Sequence, residues 1–427
     1  MDVALLFILL AVFITMTVPI GIALGLATLI IMLAMSNIPP VIIAQNAFSA
    51  LDSFPLMAIP FFILAGNIME HGGISKRLLK FADSLVGFMT GGLSIVTTLT
   101  CMLFAAISGS GPATVSAIGT FMIPAMDEEG YDPAFAAALT SAAGSIGVII
   151  PPSIPFVIYA VAVGGSITDL FIAGVIPGIL IGLALIITSY YMAKKYGWKG
   201  KGKKFELKAV WISFRESFWA LLMPVIILGS IYKSIATPTE AAILGVVYAI
   251  IIGKFVYKEL TMKLLYKAIA DTAVINGATS FMVGLSSSFA TYLTIGQVPV
   301  RVAQSMTGIS NNFVVIMLLI LVFLLIVGCF IDNISSCIIL APIFLPIVTQ
   351  MGMNPVHFGV VMTMALAIGF VTPPYGANLF VASGISGVSI EKISKWILPL
   401  IFSMIIVMLL VAFVEPLSMF LVNNAAR

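Results

Sequence analysis

Two short polar runs in otherwise apolar sequence hold the residues of this chain best suited to do chemistry. Ser108-Gly109-Ser110-Gly111-Pro112 closes one apolar stretch with helix-stopping glycines and a proline, leaving two hydroxyls beside freed carbonyls. Asp332-Asn333-Ile334-Ser335-Ser336 sets a carboxylate, an amide and two hydroxyls in similar surroundings. Both are inventories of hard oxygen donors, which suit a cation such as sodium. Two proline pairs, Pro151-Pro152 and Pro373-Pro374, begin four residues after Gly147 and Gly369. Proline donates no backbone hydrogen bond, so a helix carrying such a pair breaks and exposes carbonyls near each glycine.

Tip plus break predicts one cation site in each half of the chain. In the first half the candidate sodium ligands are Ser108, Gly109, Ser110, Gly111, Gly147 and Pro151. In the second they are Asp332, Asn333, Ser335, Ser336, Gly369, Thr372 and Pro373. Half-helix N-termini at the breaks would attract an anionic substrate, for which Ser110, Ser153, Ser166, Asp332, Tyr375 and Asn378 are the candidate contacts. Asp332 carries the most weight, because an ionisable group in an apolar run needs a partner or a function. A helix cap accepting backbone amides is the plainer reading, and one carboxylate can do both. For the residues flanking the breaks, the plainer reading is a hydroxyl bonded to its own backbone. Glu240 and Asp52 read as helix-start carboxylates outside the site.

The elements that position these residues lie in lipid. The chain is 61% hydrophobic and only 9% charged, with a mean hydropathy of +1.19. A soluble domain carries roughly a quarter charged residues. The apolar run from Val3 to Met35 lacks a basic leader and a small-residue cleavage site, so it reads as retained structure. Basic residues then set the topology. Lys194, Lys195, Lys199, Lys201, Lys203, Lys204, Lys208 and Arg215 form the strongest cluster and place 201–215 in a cytoplasmic loop. Lys76 to Lys80, Lys254 to Lys267, and Lys392 with Lys395 share that side. Both termini are expected to be periplasmic.

An internal repeat divides the chain. Pro124 matches Pro346, Asp132-Pro133 matches Asn354-Pro355, Gly147 matches Gly369, and Pro151-Pro152 matches Pro373-Pro374, each pair 222 positions apart. Chance prolines and glycines in membrane helices would not hold one register. The basic loops give the copies opposite orientation, the signature of secondary transporters with a midplane site. The expected fold is thus an all-α integral membrane protein made of two inverted repeats, 1–200 and 216–427. Re-entrant hairpins are expected near 91–125 and 312–350, and broken helices near 134–162 and 356–386.

Other chemistries find little support. Cys101, Cys329 and Cys337 have no CxxC spacing and read as core packing; His71 and His357 read as boundary residues without a metal cluster. No phosphate-cradling loop, HExxH or Ser/His/Asp set is present, so neither an ATPase nor a hydrolase is indicated and no enzyme is expected. The net charge of +3 resides in loop lysines and argues against nucleic-acid binding. No cofactor is implied, sodium being the expected coupling ion.

The motifs IPFFILAGNIMEHGGIS, SGSGPATVSAIG, PPSIPFVIYA, TPTEAAILG, DNISSCIILAPIFLPI and GFVTPPYGANLF resemble the large membrane subunit of tripartite ATP-independent periplasmic (TRAP) transporters, over nearly the whole chain. That resemblance implies an elevator-type fold, in which a transport domain of two hairpins and two broken helices slides against a scaffold in the bacterial inner membrane. It further implies a small four-helix membrane subunit and a periplasmic substrate-binding protein as partners, and an organic acid as substrate, sialic acid first and C4-dicarboxylates second. The chain is also distantly similar to the divalent-anion/sodium symporter fold. That fold's Ser-Asn-Thr tips would fall at Ser108 to Gly111 and Asp332 to Ser336, where this chain has different residues. Sodium-coupled import follows as the leading expectation. A self-sufficient sodium/organic-anion symporter and an uncoupled channel or structural subunit are the alternatives.

Overall fold

A computed structural model of the chain describes residues 2–35, 39–198, 205–310 and 312–425. Among them the first half contains α1 (Asp2–Thr15), α2 (Ile20–Met35), α3 (Val41–Leu51), α4 (Ala58–His71), α5 (Ile74–Val86), α6 (Gly92–Ser108), α7 (Gly111–Glu128), α8 (Pro133–Gly144), α9 (Ile154–Val163) and α10 (Ile167–Tyr196). The second half contains α11 (Leu207–Tyr232), α12 (Pro238–Ile251), α13 (Met262–Ile295), α14 (Val298–Ile309), α15 (Phe313–Phe330), α16 (Asn333–Gln350), α17 (Pro355–Gly369), α18 (Ala377–Ser386), α19 (Ile390–Phe413) and α20 (Pro416–Ala425). No strand occurs among the described residues, and eight helical segments are long and apolar enough to cross a membrane.

The 222-residue spacing reappears in the helix boundaries. Shifted by that amount, α7 (Gly111–Glu128) coincides end for end with α16 (Asn333–Gln350), and α6, α8 and α9 fall on α15, α17 and α18 to within a few residues. The reason is local chemistry repeated at both places. Asp132 and Asn354 cap α8 and α17 by accepting the Ala134 and Val356 amides at 2.7 and 2.8 Å, and each is followed by a proline in the first turn. A 3-10 turn over Ser145–Val148 and the cis Pro151-Pro152 bond then separate α8 from α9; the cis Pro373-Pro374 bond lies between α17 and α18.

At 1.5 Å per residue, the 12 residues of α8 and the 10 of α9 reach only about 18 and 15 Å, each well short of a hydrocarbon core of about 30 Å. The breaks therefore fall at depth within the bundle. Two hairpins, α6–α7 and α15–α16, pack with these half-helices, and the packing crosses between the halves: α7 lies on α18, and α16 on α9. The Tyr159 hydroxyl on α9 also donates to the Pro355 carbonyl at 2.8 Å. The long α13 runs beside α2, α3, α4 and α16.

The basic stretch after α10 is not one loop. Lys194 and Lys195 belong to the last turn of α10, Lys208 and Arg215 lie on α11, and Lys199, Lys201, Lys203 and Lys204 are outside the described residues. Helix begins at Leu207 because 207–232 is one continuous apolar segment with only scattered charge. His357, in the first turn of α17, is buried, with Nδ1 2.7 Å from the Ser418 hydroxyl of α20 and Nε2 3.3 Å from the Ala412 carbonyl of α19.

Candidate binding site between two hairpin tips

The first tip is built from small residues whose polar atoms are paired. Gly109, in the left-handed conformation (φ 63°), ends α6 by donating to the Ala105 carbonyl. Ser110 then opens α7, its Oγ accepting from the Ala113 amide at 3.5 Å, while Pro112 fills a first-turn position where no intrahelical amide is needed. The Ser108 and Thr114 hydroxyls stand 2.8 Å apart, and Thr114 Oγ1 donates to the Ser110 carbonyl at 2.8 Å. The Gly109 carbonyl accepts the Ile154 amide at 3.2 Å, which pins the tip to the start of α9. Gly147 closes on the same oxygens. A Cβ at that position would lie 2.5 Å from Thr114 Oγ1 and 2.6 Å from the Ser110 carbonyl oxygen, so only glycine permits the approach.

The second tip holds polar atoms that the protein itself does not pair. Asp332 caps α16, with Oδ1 accepting the Ile334 and Ser335 amides, both at 2.9 Å. Its Oδ2 is buried without a partner, as are both amide atoms of Asn333 and the hydroxyl of Ser336. Leaving such a group buried and unsatisfied costs about 1–3 kcal/mol, more when it is charged. Four such atoms on three neighbouring side chains set this tip apart from the first. Nearby, the Cys329 thiol donates to the Thr372 carbonyl at 3.0 Å and Thr372 Oγ1 to the Ile368 carbonyl at 2.7 Å. A Cβ on Gly369 would stand 2.5 Å from the Gly328 carbonyl carbon, so this break closes on the outer helix of its hairpin and not on the tip.

A cavity of about 200 Å³ lies between the tips. Gly109, Ser110 and Ile154 border it from the first half, Asp332, Asn333 and Phe370 from the second, and Met282 of α13 also lines it. The first turns of α7, α9 and α16 all reach this cavity. Their positive dipole ends favour an anion, while the hydroxyls, carbonyls and carboxylate around them favour a hard cation.

The family model for the tripartite ATP-independent periplasmic transporter, DctM component, matches residues 7–417. The chain belongs to that family. It is 49% identical over 410 residues to the isethionate TRAP transporter permease protein DctMQ of Oleidesulfovibrio alaskensis, covering 96% of this chain and 65% of that protein. It is 36% identical to the C4-dicarboxylate TRAP transporter large permease DctM of Rhodobacter capsulatus, covering 95% of each. The sialic acid permease SiaT of Haemophilus influenzae is 37% identical, with 95% of this chain and 66% of that one covered. The DctMQ and SiaT relatives are thus longer than this chain, which spans about two thirds of each. Two solved transporters share its fold at 14% identity. YdaH of Alcanivorax borkumensis gives a TM-score of 0.65 over 97% of this chain and 100% of its own, and MtrF of Neisseria gonorrhoeae gives 0.57 over 87% and 84%.

This DctM-family chain is a multi-pass transporter subunit and not an enzyme. Its structure gathers Ser108, Gly109, Ser110, Gly111 and Gly147 about the first tip, and Asp332, Asn333, Ser335 and Ser336 about the second. Pro151 and Pro373 lie in the breaks themselves. Four residues proposed as substrate contacts do not line the tip cavity. Ser153 is fully buried and caps α9, donating to the Val148 carbonyl at 2.6 Å. Ser166 caps α10, accepting from the Asp169 amide at 3.1 Å. Tyr375 is 55% exposed and packs against Phe330 and Phe380. Asn378 is buried and reaches across to the other half, donating to the Ser141 carbonyl at 3.3 Å. Caps or packing take Ser153, Ser166 and Tyr375, while Asn378 lies against Gly111 of the first tip with its Oδ1 buried and unpaired. Outside the site, Glu240 closes a capping box with Thr237, and Asp52 lies at the end of α3 instead of a helix start.

Thr114 and Met282 were not legible as site residues. Thr114 stands 222 positions before Ser336, so the repeat itself carried the signal. Met282 lies in the middle of a long apolar helix, and nothing local marks it.

Proposed function

We propose that this chain is the sodium-coupled large permease of a TRAP transporter, importing a small organic anion across the bacterial inner membrane with a four-helix membrane subunit and a periplasmic binding protein. The observation that carries the reading is the cavity between the tips. Three helix starts border it, and beside it Asp332 Oδ2 and the Asn333 amide are buried without partners. The dipole ends bind the anion's charge; the hydroxyls and carbonyls around Ser108, Ser110 and Thr114 and the free oxygen of Asp332 hold sodium. Coupling follows, because an anion placed beside cation sites binds better when they are filled. Movement of both hairpins and both broken helices as one body against α13 and its neighbours, an elevator step, would carry that cavity between the two membrane faces.

The relatives suggest the substrate class. Isethionate, the substrate named for the 49% identical relative, and C4-dicarboxylates, named for a relative 36% identical over 95% of each chain, stand ahead of sialic acid, named for a 37% identical relative. Uptake into proteoliposomes holding both membrane subunits tests the proposal. Labelled isethionate or succinate should enter only with an inward sodium gradient and binding protein outside. Uptake indifferent to the gradient would overturn the coupling, and uptake of sialic acid alone would overturn the substrate class.

A further inference from the structure

Beside Met282, but on a different face of the helix, α13 carries a longer polar feature. Asn276, Thr279 and Ser280 line a cleft of about 200 Å³, and Ser287, Thr291 and Thr294 line a second of about 420 Å³. Both clefts border Val283 and Leu56, and the neighbouring Met282 borders the tip cavity. The polar residues recur at three- and four-residue steps, with a seven-residue gap at Val283, and so share one face of the helix. Val274, Ile275 and Phe281 are exposed on α13 and entirely apolar, as lipid contact requires. From Asn276 to Thr294 the face runs about 27 Å at 1.5 Å per residue, close to the roughly 30 Å of a hydrocarbon core.

Hydroxyls in membrane helices usually bond their own backbone. Thr291 and Thr294 do so, donating to the Ser287 and Ala290 carbonyls at 2.9 Å each. Asn276, Thr279, Ser280 and Ser287 have no side-chain hydrogen bond among the described residues, and neither does Ser53, which faces the larger cleft from the opposite wall. No charged side chain lines either cleft. Neutral donors along a path solvate an anion without trapping it, because each site binds weakly enough to release.

We propose that this face of α13 is a hydroxyl- and amide-lined track along which a small oxyanion moves from one cleft to the other, passing at Val283 alongside the tip cavity. The proposal rests on the transport reading above but makes a separate claim, that α13 contributes binding contacts of its own.

The full-length protein in membranes provides the first test. Ser280→Cys and Ser287→Cys should react with an anionic water-soluble methanethiosulfonate, and isethionate or succinate should slow the reaction; Val274→Cys on the apolar side should be inert. The native thiols are buried. In reconstituted uptake, Thr279→Val with Ser280→Ala, and Ser287→Ala with Thr291→Val, should each raise the half-saturating substrate concentration about ten-fold, the worth of one hydrogen bond to a charged group. The half-saturating sodium concentration should not move. Inert cysteines at 280 and 287, or unchanged substrate affinity in both double variants, would overturn the track. Reactive, substrate-protected cysteines in a protein without sodium-driven uptake would uphold the track and overturn the coupling.

Discussion

The two hairpin tips share a backbone plan 222 residues apart, yet they do opposite things with their polar atoms. At the first tip the hydroxyls of Ser108 and Thr114 and the Ser110 carbonyl satisfy one another. At the second, Asp332 Oδ2, Asn333 and Ser336 are buried with partners missing. A self-satisfied tip is stable by itself and can lend carbonyl and hydroxyl lone pairs to a cation. A tip with an unpaired carboxylate oxygen depends on a ligand to offset its desolvation. The repeat thus supplies the geometry twice, and the two tips differ in how far the protein itself satisfies their polar atoms. The breaks diverge in the same way. Gly147 presses on its tip, whereas Gly369 presses on the outer helix α15.

The largest effect that would test this contrast is at Asp332. Asp332→Asn keeps an oxygen able to cap α16 but removes the charge, so the protein should fold while sodium-driven uptake falls at least about a hundred-fold, the cost of a lost buried charge contact. Normal uptake and sodium dependence in that variant would reduce Asp332 to a cap. An intermediate effect belongs to the first tip. Gly147→Ala forces a methyl against Thr114 Oγ1 and the Ser110 carbonyl, and should weaken sodium roughly ten-fold, a loss of about 1.4 kcal/mol, with a smaller change in substrate affinity. Sodium titration of uptake separates the two constants; equal losses in both would mean that the tips are not divided as argued. The smallest effect is at Ser166, whose hydroxyl caps α10. Ser166→Ala should cost about 1 kcal/mol of stability, seen as a lower melting temperature in detergent, and leave uptake kinetics unchanged. A raised half-saturation constant would return Ser166 to the substrate path.

Much of this molecule follows from local sequence. Burial in lipid is a matter of composition, the hairpins and breaks are set by glycine, proline and capping residues such as Asp132 and Asn354, and the duplication is a matter of register. All of these act over a few residues or repeat at a fixed spacing, so reading along the chain finds them. What reading along the chain cannot do is account for hydrogen bonds across it. Along the chain Ser153 and Ser166 are as available as Asn333, yet folding pairs them with Val148 and Asp169. Asn333, 3% exposed, was left with none. Nor does any local pattern bring Met282 beside two tips that lie 222 residues apart. The sequence alone determined that there would be two oxygen-rich tips in a membrane. The tertiary structure decided which of their atoms are spoken for, because satisfaction of buried polar groups is settled by neighbours in space.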